Sequence, residues 1–330
     1  MPLMLVSHLR GLHRRTMVLD LDRRSLLVGL SAFSLTASCA TRKLEPATNT
    51  PGLAITIDDF DLSDTPLMSG EERDVAILAS LKRHRVQAAG FVAGKFLGNT
   101  LDPAVLGRWS DGGHIIGIHT FSHSYFAGVN PAALMADILK CEPLLSGYPG
   151  FRKLFRFPYL AEGRTAEGRD AMRSLLKQHG YRNGHVTIDT SDWYIDNRLK
   201  SRLQSDPQAT LDPYRRFYLQ HIWDRATYYD DLAKSLFGHS IEHTILLHHR
   251  LTTGLFLDDM LSMFREHGWR LTNAEEAFAT PAFALEPKAL PAGQSLIWAA
   301  AKEDGRFEAS LRYPGEDGEY EAPAMDALAL

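Results

Sequence analysis

The sequence predicts an α/β fold over residues 52–280, in which parallel strands alternate with helices and the sheet is either open or closed as a barrel. Two observations lead to this prediction. Short apolar segments alternate about six or seven times with segments of helical periodicity. In addition, clusters of polar residues follow the apolar segments, and α/β barrels place their active sites at that end of their strands.

The predicted strands are short apolar segments bounded by turn residues. In chain order they are 52–59, 88–94, 114–123 (the last residues in a loop), 153–159, 184–190, 243–249 and 269–272. Helices are predicted between them over 71–84, from Pro131, from Thr165 and over 254–267. Residues 194–238 are aromatic and charged, and we interpret them as a helical insertion in the domain. Residues 281–330 depart from the alternation, and we interpret them as a peripheral C-terminal extension of unassigned role.

The helix over 71–84 has a clear boundary signal. Ser69 is expected to cap it, and Glu72, three positions on, completes a capping box. Apolar residues at helical spacing are expected to form its buried face, namely Val75, Leu78, Ala79 and Leu81. Asn130 is likewise expected to cap the helix whose first residue is Pro131.

The N-terminal region is expected to be an export signal. Arg23 and Arg24 precede an apolar segment, 26–38, that is too short to span a membrane. Paired arginines at this place indicate twin-arginine export. Cleavage is expected either before Cys39, which would then be lipidated and attach the protein to a membrane, or after Ala40. A buried first helix is the alternative interpretation.

We therefore interpret residues 1–39 as the signal and 40–51 as a linker, because the latter are polar and contain two prolines. The mature protein is expected in the periplasm or anchored by lipid in the cell envelope.

Charge and cysteine content exclude some classes of protein. Residues 1–38 carry five arginines and two aspartates, so their removal changes the formal net charge from −4 to −7. A net-negative chain without a block of basic residues is a poor nucleic-acid binder. Cys39 and Cys141 are the only cysteines, so the fold does not depend on a disulfide framework.

The first polar cluster contains carboxylates and histidines. Asp58 and Asp59 end the first predicted strand, and two adjacent carboxylates at a buried strand end are costly to ionise without a cation. His119 and His123 end another strand, and zinc accepts both imidazole and carboxylate ligands. Asp59 would be the third ligand. The alternatives are a solvated loop that caps the next turn, for the two aspartates, and ordinary hydrogen-bonded polar residues, for the two histidines.

Two further clusters follow later strands. Arg156 lies in FRFPY and is a candidate to hold a carboxylate ionised, while the backbone N–H of Tyr159 is a candidate oxyanion donor. Asp192 and Trp193 lie in DTSDW, where an exposed tryptophan would line a sugar-binding groove. A surface arginine in a turn and an ordinary core tryptophan are the alternatives.

His248 and His249 end the strand 243–249 and compete for the role of general acid. Neighbouring side chains on a strand point to opposite faces, so only one of them faces the site. We favour His248, because Leu246 shares its face and suits an apolar acetyl pocket. His249 is then expected at the rim or behind the site.

Together these clusters resemble the five motifs of the polysaccharide deacetylase family, which carries the NodB homology domain and forms carbohydrate esterase family four. The matching segments are TIDD, HTFSH, RFPY, DTSDW and LLH. The resemblance covers about 52–280 and implies a distorted (β/α) barrel. Three residues depart from the family's pattern. Phe60 and Leu160 each stand where glycine is common, and Ile57 stands where phenylalanine is usual.

The resemblance also implies roles for individual residues and an activity. The implied catalytic residues are Asp58 as base, Arg156 positioning it, His248 as acid and Asp192 tuning that acid; the implied metal ligands are Asp59, His119 and His123; and the implied substrate contacts are Tyr159, Trp193 and Leu246. The implied metal is Zn²⁺ or another divalent transition metal. The implied reaction is attack of a metal-bound water on an N- or O-acetyl group of a glycan.

Two other functions fit the same residues. The first is a glycan-binding module on the same fold without chemistry, which the complete set of acid, base and ligand residues disfavours. The second is a metal-dependent hydrolase of small cyclic amides, which an export signal and a groove tryptophan disfavour.

Overall fold

The computed structural model describes residues 50–312 and 318–330. The expected export signal, including Arg23, Arg24 and Cys39, and nearly all of the expected linker lie outside the described residues. Within the described residues, no helix combines the length and apolar character needed to cross a bilayer. Cys141 is buried and its thiol is free.

Nine strands and ten α-helices make up the described part of the chain. The strands are β1 (Gly52–Asp59), β2 (Ala89–Val92), β3 (Ile115–Ile118), β4 (Phe151–Phe155), β5 (Ala161–Gly163), β6 (Arg182–Asn183), β7 (Glu242–His248), β8 (Arg270–Leu271) and β9 (Ala292–Gly293). The helices are α1 (Gly70–His84), α2 (Pro103–Asp111), α3 (Pro131–Leu145), α4 (Ala166–Gln178), α5 (Asp192–Ser205), α6 (Asp212–Phe237), α7 (Leu251–Glu266), α8 (Ala274–Phe278), α9 (Leu296–Asp304) and α10 (Ala322–Ala327).

Seven of these strands form one parallel sheet in the order β6-β4-β3-β2-β1-β7, and β8 pairs with the beginning of β1. The sheet curls, and the chain after β6 crosses to the opposite edge, where Ile188 bridges Ile245 of β7. This curled sheet with surrounding helices confirms the predicted α/β fold and the distorted (β/α) barrel. β1 is an interior strand between β2 and β7, and its residues are buried up to Asp58, as expected for a parallel strand covered on both faces.

The helix boundaries follow the cap residues named above. The Ser69 side chain accepts from the Glu72 backbone and Glu72 reaches back to the cap, so the predicted capping box is confirmed. Asn130 caps α3, whose first residue is Pro131. The predicted buried face of α1 is wrong in part, because Val75 and Ala79 are exposed, Leu78 is half-buried, and the buried face includes Arg73 and Asp74. Those two charged residues are buried because they bond to partners distant in the sequence, described below.

Two predicted strands are shorter than expected. β4 ends at Phe155, and a turn at Pro158–Leu160 replaces the rest of the predicted strand. Between 184 and 190 only Ile188 forms a bridge, so the prediction of a full strand there is wrong. This segment crosses from one edge of the curled sheet to the other, which leaves room for little regular pairing.

The C-terminal region is not peripheral, contrary to the expectation. Ser295 Oγ donates to the Thr187 carbonyl at 2.7 Å, and the Leu296 N–H donates to the Val186 carbonyl at 2.7 Å. Trp298 of α9 is fully buried, and β9 pairs antiparallel with β5. The region therefore supplies hydrogen-bond partners that the irregular segment 184–190 would otherwise lack.

Candidate active site

The site is built around a buried carboxylate at the end of β1. Thr56 and Asp58 share one face of this strand, since side chains alternate along it. Arg156, which follows β4, donates from one guanidinium nitrogen to both Thr56 Oγ1 and Asp58 Oδ1, each at 2.7 Å. Its Nε donates to the Gly184 carbonyl at 2.8 Å. Asp58 and Arg156 are almost fully buried, so this contact fixes one carboxylate oxygen and leaves Oδ2 on the cavity side.

The three residues predicted as metal ligands come together beside this carboxylate. Asp59 Oδ1 lies 3.1 Å from His123 Nε2 and 3.7 Å from His119 Nε2, and the three ligand atoms all lie within 4.8 Å of one another. A tetrahedral zinc ion, with bonds of about 2.0–2.2 Å, needs ligand atoms roughly 3.3 Å apart. Small side-chain adjustments would meet this requirement.

The chemistry of these three side chains also fits a divalent cation. His119 Nδ1 lies 2.9 Å from the Arg156 carbonyl and donates to it, so the Nε2 lone pair points to the site. Asp59 Oδ1 is buried yet accepts no hydrogen bond of regular geometry, which a bound cation would remedy.

The pKa values of these groups are shifted in the direction that a metal ligand requires. Burial lowers the pKa of His119 to about 4, which outweighs the opposite pull of Asp58 and Asp59. Burial raises the pKa of Asp59, but the contact with His123 and the nearby His248 and His119 outweigh it and hold that pKa well below its usual range. At neutral pH His119 is thus a neutral imidazole and Asp59 a carboxylate.

A second ionisable pair faces the same cavity from the other side. His248 Nδ1 lies 2.7 Å from Asp192 Oδ1, and the His248 backbone N–H donates to Asp192 Oδ2 at 2.8 Å. Burial lowers the pKa of His248, but the charge and hydrogen bond of Asp192 outweigh this effect and raise it to about 9. The imidazole is therefore protonated at neutral pH, with Nδ1 fixed by Asp192.

His249 lies on the opposite face of the strand, away from this pair. Its Nδ1 accepts from Arg73 Nε at 3.3 Å, and its Nε2 lies 3.3 Å from Asp74 Oδ1. The ring also packs on Phe60. His249 is therefore a buried partner of the charged face of α1, and the lining of the cavity described next reaches both His249 and Arg73.

A cavity of about 780 Å³ connects these groups. Its lining includes all ten predicted site residues except Arg156 and Asp192, which lie behind the surface and touch it through Asp58 and His248. Trp193 and Leu246 line it, the latter largely buried. Tyr159 is 61% exposed at the mouth, and its ring is tilted by 58° against that of His123, with the ring centroids 5.0 Å apart.

Sequence reasoning missed Arg250 and Asp196 in this cavity. The Arg250 guanidinium lies 3.8 Å from Asp59 Oδ2 and 3.9 Å from Asp196 Oδ2. Arg250 directly follows the two histidines at the end of β7, and this position could have identified it from the sequence as a candidate site residue. Asp196 had no such signal, because it lies inside a helix, one turn after Asp192.

The loops that carry the site have an unusual backbone. Six residues have positive φ: Asp59 (76°), Phe60 (63°), Thr120 (61°), His123 (57°), Tyr159 (58°) and Leu160 (50°). Non-glycine residues adopt this left-handed conformation at a cost, and such residues cluster at functional sites. Phe60 and Leu160 are the positions at which glycine is common in the family that the sequence resembles.

Comparison with known proteins is consistent with this geometry. Residues 45–184 match the family model described as polysaccharide deacetylase. The chain is 31% identical over 150 residues to a peptidoglycan-N-acetylglucosamine deacetylase of Bacillus cereus, a match that covers 44% of this chain and 47% of the relative. The chain thus spans about half the length of this curated relative. The matched family segment contains Asp58, Asp59, His119, His123 and Arg156 but ends before Asp192 and His248.

Solved structures show weaker likeness. A peptidoglycan deacetylase from Bacillus subtilis has 22% identity, a TM-score of 0.46 and coverage of 69% of this chain and 92% of its own. A family 4 carbohydrate esterase pseudoenzyme from Bacillus anthracis has 17% identity, a TM-score of 0.48 and coverage of 69% and 66%. The family match confirms the resemblance stated from the sequence over residues 45–184, which contain TIDD, HTFSH and RFPY, whereas DTSDW and LLH lie beyond the matched segment.

Proposed function

We propose that this protein is a metal-dependent hydrolase that removes acetyl groups from a glycan. The observation that carries the proposal is the arrangement around one cavity of a buried carboxylate, an Asp-His-His cluster and a protonated histidine. A hydrolytic deacetylase needs a base, a charge-stabilising centre and an acid, and these three groups supply one of each.

The Asp59, His119 and His123 side chains would hold one divalent cation, with zinc the best match to their ligand atoms. When bound, the cation supplies Lewis acidity that lowers the pKa of water and polarises a carbonyl oxygen. Arg250 would limit the negative charge at this site, because its guanidinium faces the second oxygen of Asp59.

Asp58 acts as the general base. Arg156 occupies its Oδ1, so Oδ2 is the oxygen that takes a proton from the attacking water. The hydrogen bond from Arg156 holds the carboxylate in one orientation. As the water oxygen bonds to the acetyl carbonyl carbon, negative charge develops on the carbonyl oxygen, and the Tyr159 backbone N–H is the proposed donor to it.

His248 acts as the general acid. When the bond between the acetyl carbon and the sugar nitrogen or oxygen breaks, Nε2 of the protonated imidazole gives its proton to that leaving atom. Asp192 holds Nδ1 and so fixes both the ring orientation and its charge. The products are acetate and a free amine or hydroxyl on the sugar.

The shape of the cavity supports a glycan as substrate. Trp193 offers an apolar ring of the kind that pairs with a pyranose face, and Leu246 lies where an acetyl methyl group would fit. Because the Bacillus cereus relative is named for peptidoglycan N-acetylglucosamine, N-acetylated peptidoglycan is the first substrate to test.

Release of acetate tests the proposal directly. We expect the zinc-loaded protein to release acetate from N-acetylated peptidoglycan, chitin oligomers or acetylated xylan, and the chelator-treated protein to release none until zinc is restored. Tight zinc and glycan binding with no acetate from any of these substrates would instead support the non-catalytic binding module.

We also propose that the protein is exported through the paired arginines Arg23 and Arg24, to the periplasm or, through Cys39, to a membrane surface. Changing both arginines to lysine is expected to leave unprocessed protein in the cytoplasm, as measured by cell fractionation and immunoblotting. Unchanged export of the variant would rule out the twin-arginine route.

A further inference from the structure

A buried histidine holds the turn that carries the proposed acid pair. Ser191 immediately precedes Asp192, the first residue of α5, and both are fully buried. The first N–H groups at a helix N-terminus have no partner within the helix. The Ser191 N–H donates to His221 Nε2 of α6 at 3.0 Å, so the position of this turn depends on an imidazole acceptor.

The C-terminal segment contacts the other nitrogen of that imidazole. His221 Nδ1 lies 3.3 Å from Glu321 Oε2, while Arg312 donates to Glu321 Oε1 at 2.7 Å. A neutral histidine accepts at Nε2 only when Nδ1 carries the proton, and the Glu321 carboxylate is the acceptor for that proton.

Glu321 is suited to this role because it stays ionised. Burial raises its pKa, but the contacts with His221 and Arg312 outweigh this effect and lower it to about 2. The side chains of Glu321 and His221 are both nearly inaccessible to solvent. The hydrogen bond between them is therefore largely shielded from water.

Residues 318–330, the segment that contains Glu321, also contact α5 directly, at two points. Arg198 bonds to Asp326 at 2.7 Å and to the Leu330 carbonyl. Gly318 packs so closely on Tyr194 that a Cβ atom there would lie 2.3 Å from the ring. The segment thus follows the helix whose first residue is Asp192.

We propose that Glu321 is a positioning residue, which acts through His221 and Ser191 to hold Asp192 against His248. The C-terminal region, for which the sequence suggests no role, would thereby set the strength of the general acid from outside the matched family segment. The identification of His248 as the acid rests on the function proposed above. The chain of hydrogen bonds from Glu321 to Asp192 is independent of that function.

Matched variants test the two links. Glu321→Ala removes the acceptor for the His221 proton, and His221→Leu removes the acceptor for the Ser191 N–H. In both variants Asp192 is expected to move away from His248. The pKa of His248 should then fall by about half a unit to one unit, which is a fraction of the shift that a close opposite charge produces. His221→Gln places an oxygen near the position of Nε2 and is expected to restore the wild-type value.

Two measurements are made on each variant. The His248 pKa is obtained by NMR titration of the metal-free protein, which requires no activity. The pH profile of kcat is measured on an acetylated glycan, and its alkaline limb is expected to shift by the same amount, a threefold to tenfold change in the ionisation constant, with KM nearly unchanged. Asp326→Ala, in the same segment but with an exposed side chain, is the control and should leave both quantities at their wild-type values.

The outcomes separate the two proposals. If Glu321→Ala and His221→Leu leave the His248 pKa unchanged, or if Asp326→Ala lowers it equally, the positioning role is wrong. If His221→Gln lowers the His248 pKa as much as His221→Leu does, the acceptor at His221 Nε2 does not determine that pKa, and the positioning role proposed for Glu321 is again wrong. Absence of acetate release by the wild type, with the expected NMR shifts, overturns the deacetylase proposal alone.

Discussion

Replacing Asp58 with asparagine is expected to lower kcat by about 10²-fold or more while the protein still binds one zinc ion, because the change removes the proposed base and keeps its shape. Arg156 retains Thr56 and the Gly184 carbonyl as partners, so the fold around the site should persist. Acetate release and zinc content by mass spectrometry measure the two effects on one sample.

Asp59→Asn is the matched control for this experiment. It makes the same chemical change one residue later, but at a proposed ligand, so zinc content is expected to fall together with kcat. If Asp58→Asn retains more than about a tenth of the wild-type rate, another group activates the water, since general-base catalysis typically contributes 10²-fold or more. If both variants lose zinc equally, the division of roles between the two carboxylates is wrong.

Replacing His248 with alanine is the second change with a large expected effect. The proposed acid is lost, so kcat should fall by about 10²-fold or more with zinc content unchanged. His249→Ala should retain kcat per folded molecule, because both ring nitrogens of His249 are engaged by Arg73 and Asp74 and not by the proposed acid pair. It should instead lower the free energy of unfolding by roughly 1–3 kcal/mol, since it removes a partner from the buried Asp74. Thermal denaturation and kcat, measured on both variants, distinguish the two roles.

The same histidine gives the reaction a predictable pH dependence. A general acid works only when protonated, so activity should be lost as the pH rises through the His248 pKa. Asp192 raises that pKa to about 9, and a bound cation acts in the opposite direction, so the alkaline limb is expected at or below pH 9. Asp192→Asn should move this limb to lower pH. A limb that stays in place in this variant would show that another group donates the proton.

The His248–Asp192 contact also links pH to folding stability. The pKa of His248 is higher in the folded protein than the ordinary value of 6.5. The stabilisation is therefore fully present below about pH 6.5 and is lost as the pH rises through about 9.

The strand ends and helix caps were predictable because their signals are local. Ser69 with Glu72 and Asn130 with Pro131 determine boundaries through residues three or fewer positions apart. The placement of ligand-type and acid–base side chains at strand ends also follows from local sequence, because parallel strands bring their carboxyl ends to one edge.

Features that depend on distant partners could not be predicted in this way. Arg73 and Asp74 are buried because His249, some 175 residues later, accepts from one and contacts the other. Nothing near His221 indicates that it would meet the Ser191 N–H and Glu321. Apolar periodicity therefore identified the inner face of α1 only in part, and the C-terminal region was expected to be peripheral because it departs from the strand–helix alternation.

The six left-handed residues at the site have a consequence for how the protein tolerates mutation. Each strained non-glycine residue costs of order 1 kcal/mol or more, whereas a folded domain has a net stability of only about 5–15 kcal/mol. The strained loops around the proposed site therefore lower the net free energy of unfolding by a large fraction of what the rest of the fold provides. Destabilising substitutions in the distant core, harmless in a less strained relative, should bring this protein to its folding threshold sooner. The backbone shape of the loops around the proposed site therefore limits which mutations the protein tolerates, even at positions far from the cavity.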